Sequence, residues 1–284
     1  MSRRPEIPVV VLWGLIWCCL ASGGVACRET GGGSAPWRVL EPGLEIARFD
    51  SRTAISAATG DLTVLRVDPE RWRLVVMATT DTGVGLPLSL DRWCRDFNLV
   101  AAINAGMYQR DGKTHVGYCK VGDRVISEAV NRYRSAAAMD PVKADDPPFR
   151  IFDLDDTPLD SVTAAYRTVV QNLRLIKRRA ESRWPSGPET WSEAALGEDE
   201  QGRALLMHCT RPLSMHDFNR LILDLPLAVV AAQHLEGNFP AQLWVNHPGW
   251  TDPVRGPAAQ SRVLPVILGV AAPVPVNAPA PPGR

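Results

Sequence analysis

Val100-Ala101-Ala102-Ile103-Asn104-Ala105-Gly106-Met107-Tyr108 reads as a strand that ends abruptly at a polar side chain and a glycine turn. A short apolar run without polar alternation is what a strand covered on both faces requires. The side chain that ends such a run is well placed to do chemistry. Val229-Val230-Ala231-Ala232-Gln233-His234-Leu235-Glu236-Gly237-Asn238 repeats the layout, and here the polar residue is an acid. The two ends read as opposite halves of one site.

Working outward, the pattern is that of an α+β protein, a mixed β-sheet core with a few packed helices in a single domain. Leu62–Val67 and Arg73–Ala78 are expected strands, joined as an early hairpin across Asp68-Pro69-Glu70-Arg71. Ser89 is positioned to cap a helix carrying Leu90, Trp93, Cys94 and Phe97 at helical spacing, which leads into the Leu99–Asn104 strand. Residues 116–120 and 124–126 form an expected hairpin, with a further strand at 135–139. Residues 140–160, rich in Pro and Asp, read as a surface excursion holding a short strand near 149–152. A second excursion spans 177–188, where Lys177, Arg178 and Arg179 stand near Arg174 and Arg183. It is either a solvated loop or a lid over an anionic ligand. Then come a strand at 204–209, a helix capped by Ser214, and the strand at 229–235, an order that predicts a crossover unit.

Residues 1–26 have the form of an export signal: Arg3 and Arg4, an apolar stretch from Ile7 to Leu20, then small residues. Gly24-Val25-Ala26-Cys27 resembles a lipobox, so Cys27 is the expected site of lipidation, with 27–42 as a flexible tether. An uncleaved membrane helix is the alternative. The folded domain is assigned to 43–270 and a disordered Pro-rich tail to 271–284. With 31 basic and 31 acidic side chains there is no net field to attract nucleic acid. Cys94, Cys119 and Cys209 lack the spacing of a zinc site and read as buried thiols, with one disulfide among them as the alternative.

Over residues 60 to 270 the order of motifs resembles the phosphodiester glycosidase family. Its Ile-Asn-Gly-Gly corresponds to Ile103-Asn104-Ala105-Gly106, and its Gln-x-Gly-Pro-Arg-Leu to Gln171-Asn172-Leu173-Arg174-Leu175-Ile176. An Arg-Thr-Ala-like strand corresponds to Trp191-Ser192-Glu193-Ala194-Ala195, followed by a strand-helix unit from Leu205 to Asp217. The closing Leu-Asp-Gly-Gly corresponds to Leu235-Glu236-Gly237-Asn238. Ala105, Asn172-Leu173, Ser192 and Glu236-Gly-Asn depart from that pattern and mark a divergent branch.

The resemblance implies cleavage of a sugar-1-phosphodiester, a carbohydrate substrate held in the envelope or outside the cell. Positive charge builds at the sugar C1 while the departing phosphate already carries negative charge, so a carboxylate is needed near C1 and fixed donors around the phosphate. Glu236 takes the role of general base or nucleophile, and Gly237 is expected to let a ligand approach the backbone. Asn104 joins it as a catalytic residue, and Arg174, whose fork suits phosphate, as the anchor. Gly106, Asn172, Ser192 and His115 complete the expected substrate-binding set. The resemblance implies Asn104 and Glu236 on neighbouring strands of one sheet, within about 10 Å. It implies no protein cofactor and no metal ligand set, although a divalent cation beside the phosphate is compatible with the chemistry. The alternative class is a catalytically silent glycan-binding envelope lipoprotein of the same fold.

Overall fold

The computed structural model describes residues 37–56, 61–83, 85–182, 184–238, 240–251 and 262–273. The export signal, Cys27, Arg183 and all but the first residues of the Pro-rich tail lie outside them. In chain order the elements are β1 (Arg38–Glu41), β2 (Leu44–Asp50), β3 (Ile55–Ser56), β4 (Leu62–Val67), β5 (Arg73–Ala78), α1 (Leu90–Asp96), β6 (Leu99–Asn104), β7 (Cys119–Val121), β8 (Arg124–Ser127), β9 (Ser135–Pro141), β10 (Phe149–Asp153), α2 (Leu159–Ala165), β11 (Tyr166–Lys177), β12 (Glu181–Ser182), β13 (Trp191–Asp199), β14 (Ala204–Leu213), α3 (Met215–Asp224), β15 (Val229–Gly237), β16 (Leu243–Val245) and β17 (Val266–Ala271).

Two sheets pack face to face. The larger runs β1-β2-β4-β14-β13-β15-β11-β7-β8, with β3, β9, β10 and β12 attached at its margins; the smaller runs β16-β6-β17-β5. Between them lies a core to which the small sheet gives Leu74, Val76, Ile103, Val266 and Leu268 and the large sheet Ile46, Leu65, Leu196, Leu206 and Leu235. Helix α1 covers the far face of the small sheet through Leu90, Trp93 and Cys94, and α3 the far face of the large one through Phe218, Leu221 and Ile222. Each large apolar side chain so buried contributes about 1.5–3 kcal/mol. The domain is therefore sheet-dominated, with three α-helices among the described residues, rather than an even α+β mixture. Burial on both faces explains why β6 and β15 are apolar runs without alternation.

The crossover is present. β14 and β15 are each antiparallel to β13, which lies between them, so they run parallel, with α3 as the connection. Ser214 starts α3 by accepting the Asp217 N–H at 3.1 Å, which satisfies one of the helix's orphan donors. At α1 the Ser89 hydroxyl turns to Asp91 instead of capping the backbone.

Two expectations are corrected. β4 and β5 are not a hairpin: β4 pairs with β2 and β14 in the large sheet, and β5 with β17 in the small one. The turn at Asp68 carries the chain from one layer to the other, a choice that apolar alternation does not encode. Arg38–Glu41, assigned to the tether, is an edge strand on β2. The 140–160 excursion contains β10, paired along its length with β9, and the first two residues of α2.

Candidate active site

At its C-terminal end β15 departs from regular pairing. Ala195 opposes His234 and Ala194 opposes Glu236, so Leu235 is an extra residue, a β-bulge. Directly opposed residues share a face, and Ala194 belongs with Leu235 to the core between the sheets. Glu236 therefore turns its carboxylate toward the small sheet. Burial raises its pKa above the ordinary carboxylate value, helped slightly by Glu193, while the Gly237 N–H, 3.0 Å from Oε1, then His234 and the main-chain amide of Tyr108 hold it back. Tyr108 itself is tied to the small sheet, its hydroxyl donating to the Val266 carbonyl at 2.5 Å. Burial, then the nearby Glu236, keeps that phenol protonated, and the same two influences act on Tyr133.

The shared-sheet expectation does not hold, because Asn104 ends β6 in the small sheet and Glu236 ends β15 in the large one. Asn104 opposes Ile267, a member of the cluster beneath α1, which puts Asn104 on the side of the small sheet away from Glu236. It is fully buried, and its Oδ1 accepts the Gln242 N–H at 3.2 Å. What reaches Glu236 is the following loop. Asn172 Nδ2, from β11, donates to the Ala105 carbonyl at 2.8 Å and fixes that loop against the large sheet.

Gly106 is where the loop is tightest. A Cβ there would lie 2.2 Å from Asn172 Oδ1 and 2.4 Å from His115 Nε2, so only glycine lets both side chains close over the backbone. His115 Nδ1 lies 3.0 Å from the Gly117 carbonyl oxygen and 3.1 Å from the Gly117 nitrogen, which hold the ring in place, and burial lowers its pKa below the ordinary imidazole value. Gly237 has a different neighbour from the ligand anticipated: a Cβ would sit 2.3 Å from the Trp191 indole, which occupies that space. Ser192 braces the same turn. Its hydroxyl donates to the Asn238 carbonyl at 2.9 Å, and the Asn238 N–H returns a bond to the Ser192 carbonyl at 2.8 Å, with Asn238 in the left-handed region at φ 61°.

Arg174 stands further along the sheet, opposite Gln233. Its Nη1 donates to both carboxylate oxygens of Asp153 at 2.8 Å and to Asp155 at 2.6 Å. Lys177 pairs with Asp153 and Asp156, and Arg178 with Glu198, so the basic run of the second excursion is largely matched by acids. Gly106, Asn172 and His115 thus gather on one side of the inter-sheet site, Glu236 and Tyr108 meet there, and Ser192 and Gly237 support the carboxylate from behind. Arg174 is about 10 Å away, three residues along β15 by strand geometry.

A family model described as phosphodiester glycosidase matches residues 97–271, the span from the start of β6 to the end of β17. The chain belongs to the phosphodiester glycosidase family. No curated protein sequence matches it. Among solved structures, the zebrafish N-acetylglucosamine-1-phosphodiester alpha-N-acetylglucosaminidase catalytic domain, auto-inhibited by its pro-peptide, is similar with a TM-score of 0.59 at 13% identity, over 83% of this chain and 86% of that one. A hypothetical protein from Synechocystis is similar with a TM-score of 0.53 at 14% identity, over 85% of this chain and 64% of that one. At such identities the structural likeness concerns the fold, and this chain is a divergent member of the family.

Several residues around the site were not read as partners in the sequence. His234 Nε2 and Glu193 Oε2 are 2.6 Å apart and both are buried. They lie diagonally on the face of the large sheet opposite Glu236, since Glu193 pairs with Gly237 and His234 with Ala195. Burial raises the Glu193 pKa and the hydrogen bond from His234 opposes the rise. The signal was available, one acid in one buried strand and one imidazole in the next, but nothing in the sequence fixes the register that joins them. Tyr108, Tyr133 and Gln233 were likewise invisible as partners. Among the described residues, no three His, Cys, Asp or Glu side chains gather as a metal-binding group.

Proposed function

We propose that this phosphodiester glycosidase hydrolyses the anomeric C–O bond of a sugar-1-phosphodiester in an envelope or extracellular glycan, acting outside the cytoplasm from a lipid on Cys27. The observation that carries the reading is the bulge in β15, which turns Glu236 into the space between the sheets and holds it by the Gly237 N–H. Ionised, Glu236 either attacks C1 or takes a proton from the water that does. The C1–O bond breaks with its electron pair on the phosphate oxygen, water supplies the new oxygen at C1, and the released proton passes through Glu236 to solvent. The phosphate leaves as an anion and needs no proton donor. The neighbouring carboxylate, Glu193, pairs with Gly237 and lies on the other face of the sheet from Glu236.

The second reading, a glycan-binding protein without turnover, is favoured by the Asn104 side chain, which is engaged with the Gln242 backbone. Screening the mature chain against a panel of glycosyl phosphodiesters separates the two. We expect turnover of at least one, lowered about 100-fold or more in Glu236→Gln at unchanged thermal stability. Near-normal turnover in that variant would remove Glu236 from the mechanism, and binding without turnover in the parent would favour the second reading.

A further inference from the structure

β9 accompanies β11 only as far as the pair Asn172–Ser135, and β12 takes up the same edge only at Ile176, so that edge is unpaired over Leu173–Leu175. Beside that unpaired edge lies a cleft of about 240 Å³ lined by Arg134, Leu173, Arg174, Leu175, Lys177, Trp184 and Pro185. Its lining includes three cations and no acid. The acids that balance them stand elsewhere: Asp153 and Asp155 engage Arg174 through Nη1 alone, Asp155 also holds Arg134 at 3.3 Å, and Asp153 and Asp156 hold Lys177.

That arrangement leaves one edge of the Arg174 guanidinium unused. Nε and Nη2 have no partner among the described residues, while the carboxylates on Nη1 fix the plane of the group. Two parallel N–H groups presented in this way match two oxygens of a phosphate. Trp184 is fixed as well, its indole N–H donating to the Arg174 carbonyl at 3.0 Å, and an indole held in one plane is a platform for the apolar face of a sugar ring. Arg174 opposes Gln233, three residues before Glu236 on β15, so the cleft lies along the sheet from the site of Glu236. Tyr133 lies near enough to Glu236 to feel its charge, and the next residue, Arg134, lines the cleft.

We infer that the cleft of Arg134, Arg174, Lys177 and Trp184 is a second subsite, which takes a further sugar and its phosphate when the substrate is a chain of phosphodiester-linked units. The inference deepens the proposed hydrolysis and rests on it for the role of Glu236. The natural substrate is then a polymer with repeating phosphate, and a single diester occupies only half of the binding surface. Arg174 recognises the neighbouring phosphate, about 10 Å along the sheet, and not the one that leaves.

The test is a calorimetric titration of Glu236→Gln protein with three probes: an oligomer of three N-acetylglucosamine units joined by phosphodiesters, neutral chitotriose, and the methyl phosphodiester of one unit. The sugar is that in the name of the zebrafish relative. We expect the phosphodiester oligomer to bind at least ~10-fold more tightly than either other probe. Adding Arg134→Gln, at an exposed side chain, or Trp184→Ala should weaken the oligomer ~5- to 10-fold and leave the methyl diester unchanged. No binding of the oligomer, equal affinity for the oligomer and chitotriose, or an oligomer affinity unmoved by both substitutions would each overturn the subsite. If the parent protein turns over no diester while the binding pattern holds, the hydrolysis reading fails and the subsite stands. If the parent turns over the methyl diester while the oligomer affinity is unmoved by both substitutions, the subsite fails and the hydrolysis reading stands.

Discussion

His208 offers the sharpest test of how the inter-sheet space is built. It lies on β14 opposite Ala194, which in turn opposes Glu236, so the three form a row across the inner face of the large sheet. The ring is fully buried and neither nitrogen makes a well-formed hydrogen bond, and burial pushes its pKa down to about 4 from 6.5. A folded-state pKa below the unfolded one means that the unfolded chain binds the extra proton. The contribution of His208 to stability is therefore full above pH 6.5 and is lost as pH falls from there to about 4. The whole loss is about 3 kcal/mol, at 1.36 kcal/mol for each unit, of which about 2 kcal/mol is gone by pH 5. Urea unfolding of the parent and of His208→Leu between pH 8 and pH 4.5 isolates the effect, because every other titrating group is common to both. We expect the difference in unfolding free energy to move by about 2 kcal/mol in favour of the variant between pH 8 and pH 5. Parallel curves would show that His208 is protonated or solvated in the folded state, and that the inner face of the sheet is not dry.

Gly106→Ala is expected to destabilise the fold by about 1–3 kcal/mol, because the new methyl meets Asn172 and His115 below contact distance; an unchanged denaturation midpoint would mean that both side chains move aside freely. Cys94, Cys119 and Cys209 are free and buried, with burial raising the thiol pKa of the last two to about 12, so a thiol-specific reagent should label them only after unfolding. Labelling of the native protein at these positions would contradict their placement. Cys27→Ser is expected to release the protein from the membrane fraction, whereas retention of the uncleaved variant would favour a membrane helix at residues 7–20.

The parts of this fold that could be read from sequence are those whose physics is local. β6 and β15 announce themselves because a strand buried on both faces has no polar alternation, and α3 because Ser214 precedes a helical apolar stripe. The crossover follows from their order. Pairing between distant segments was not accessible. Nothing near residue 70 tells β4 and β5 that they belong to different sheets, and nothing in Glu193 or His234 alone reveals a contact made across a bulge. The same limit explains Asn104 and Glu236. Each was visible as the polar end of an apolar run, but the register of β6 on β17 turns Asn104 away, and the adjacent loop makes the approach in its place. At Gly237 the residue type was informative and the reason was not, since an indole rather than a ligand occupies the space beside it.

The position of β17 has a consequence for how the chain acquires its structure. Although it is the last strand among the described residues, it lies inside the small sheet, bonded to β5 on one side and β6 on the other. Until residues 266–271 have been synthesised, β5 and β6 have no common neighbour, the face that α1 covers is incomplete, and the apolar side chains of β2, β4 and β14 lack the layer they pack against. Assembly of the sandwich must therefore wait for nearly the whole chain, a non-local closure of the slow kind. If the chain is exported as proposed, this order delays collapse on the side of synthesis and leaves β17 to lock the two layers after arrival.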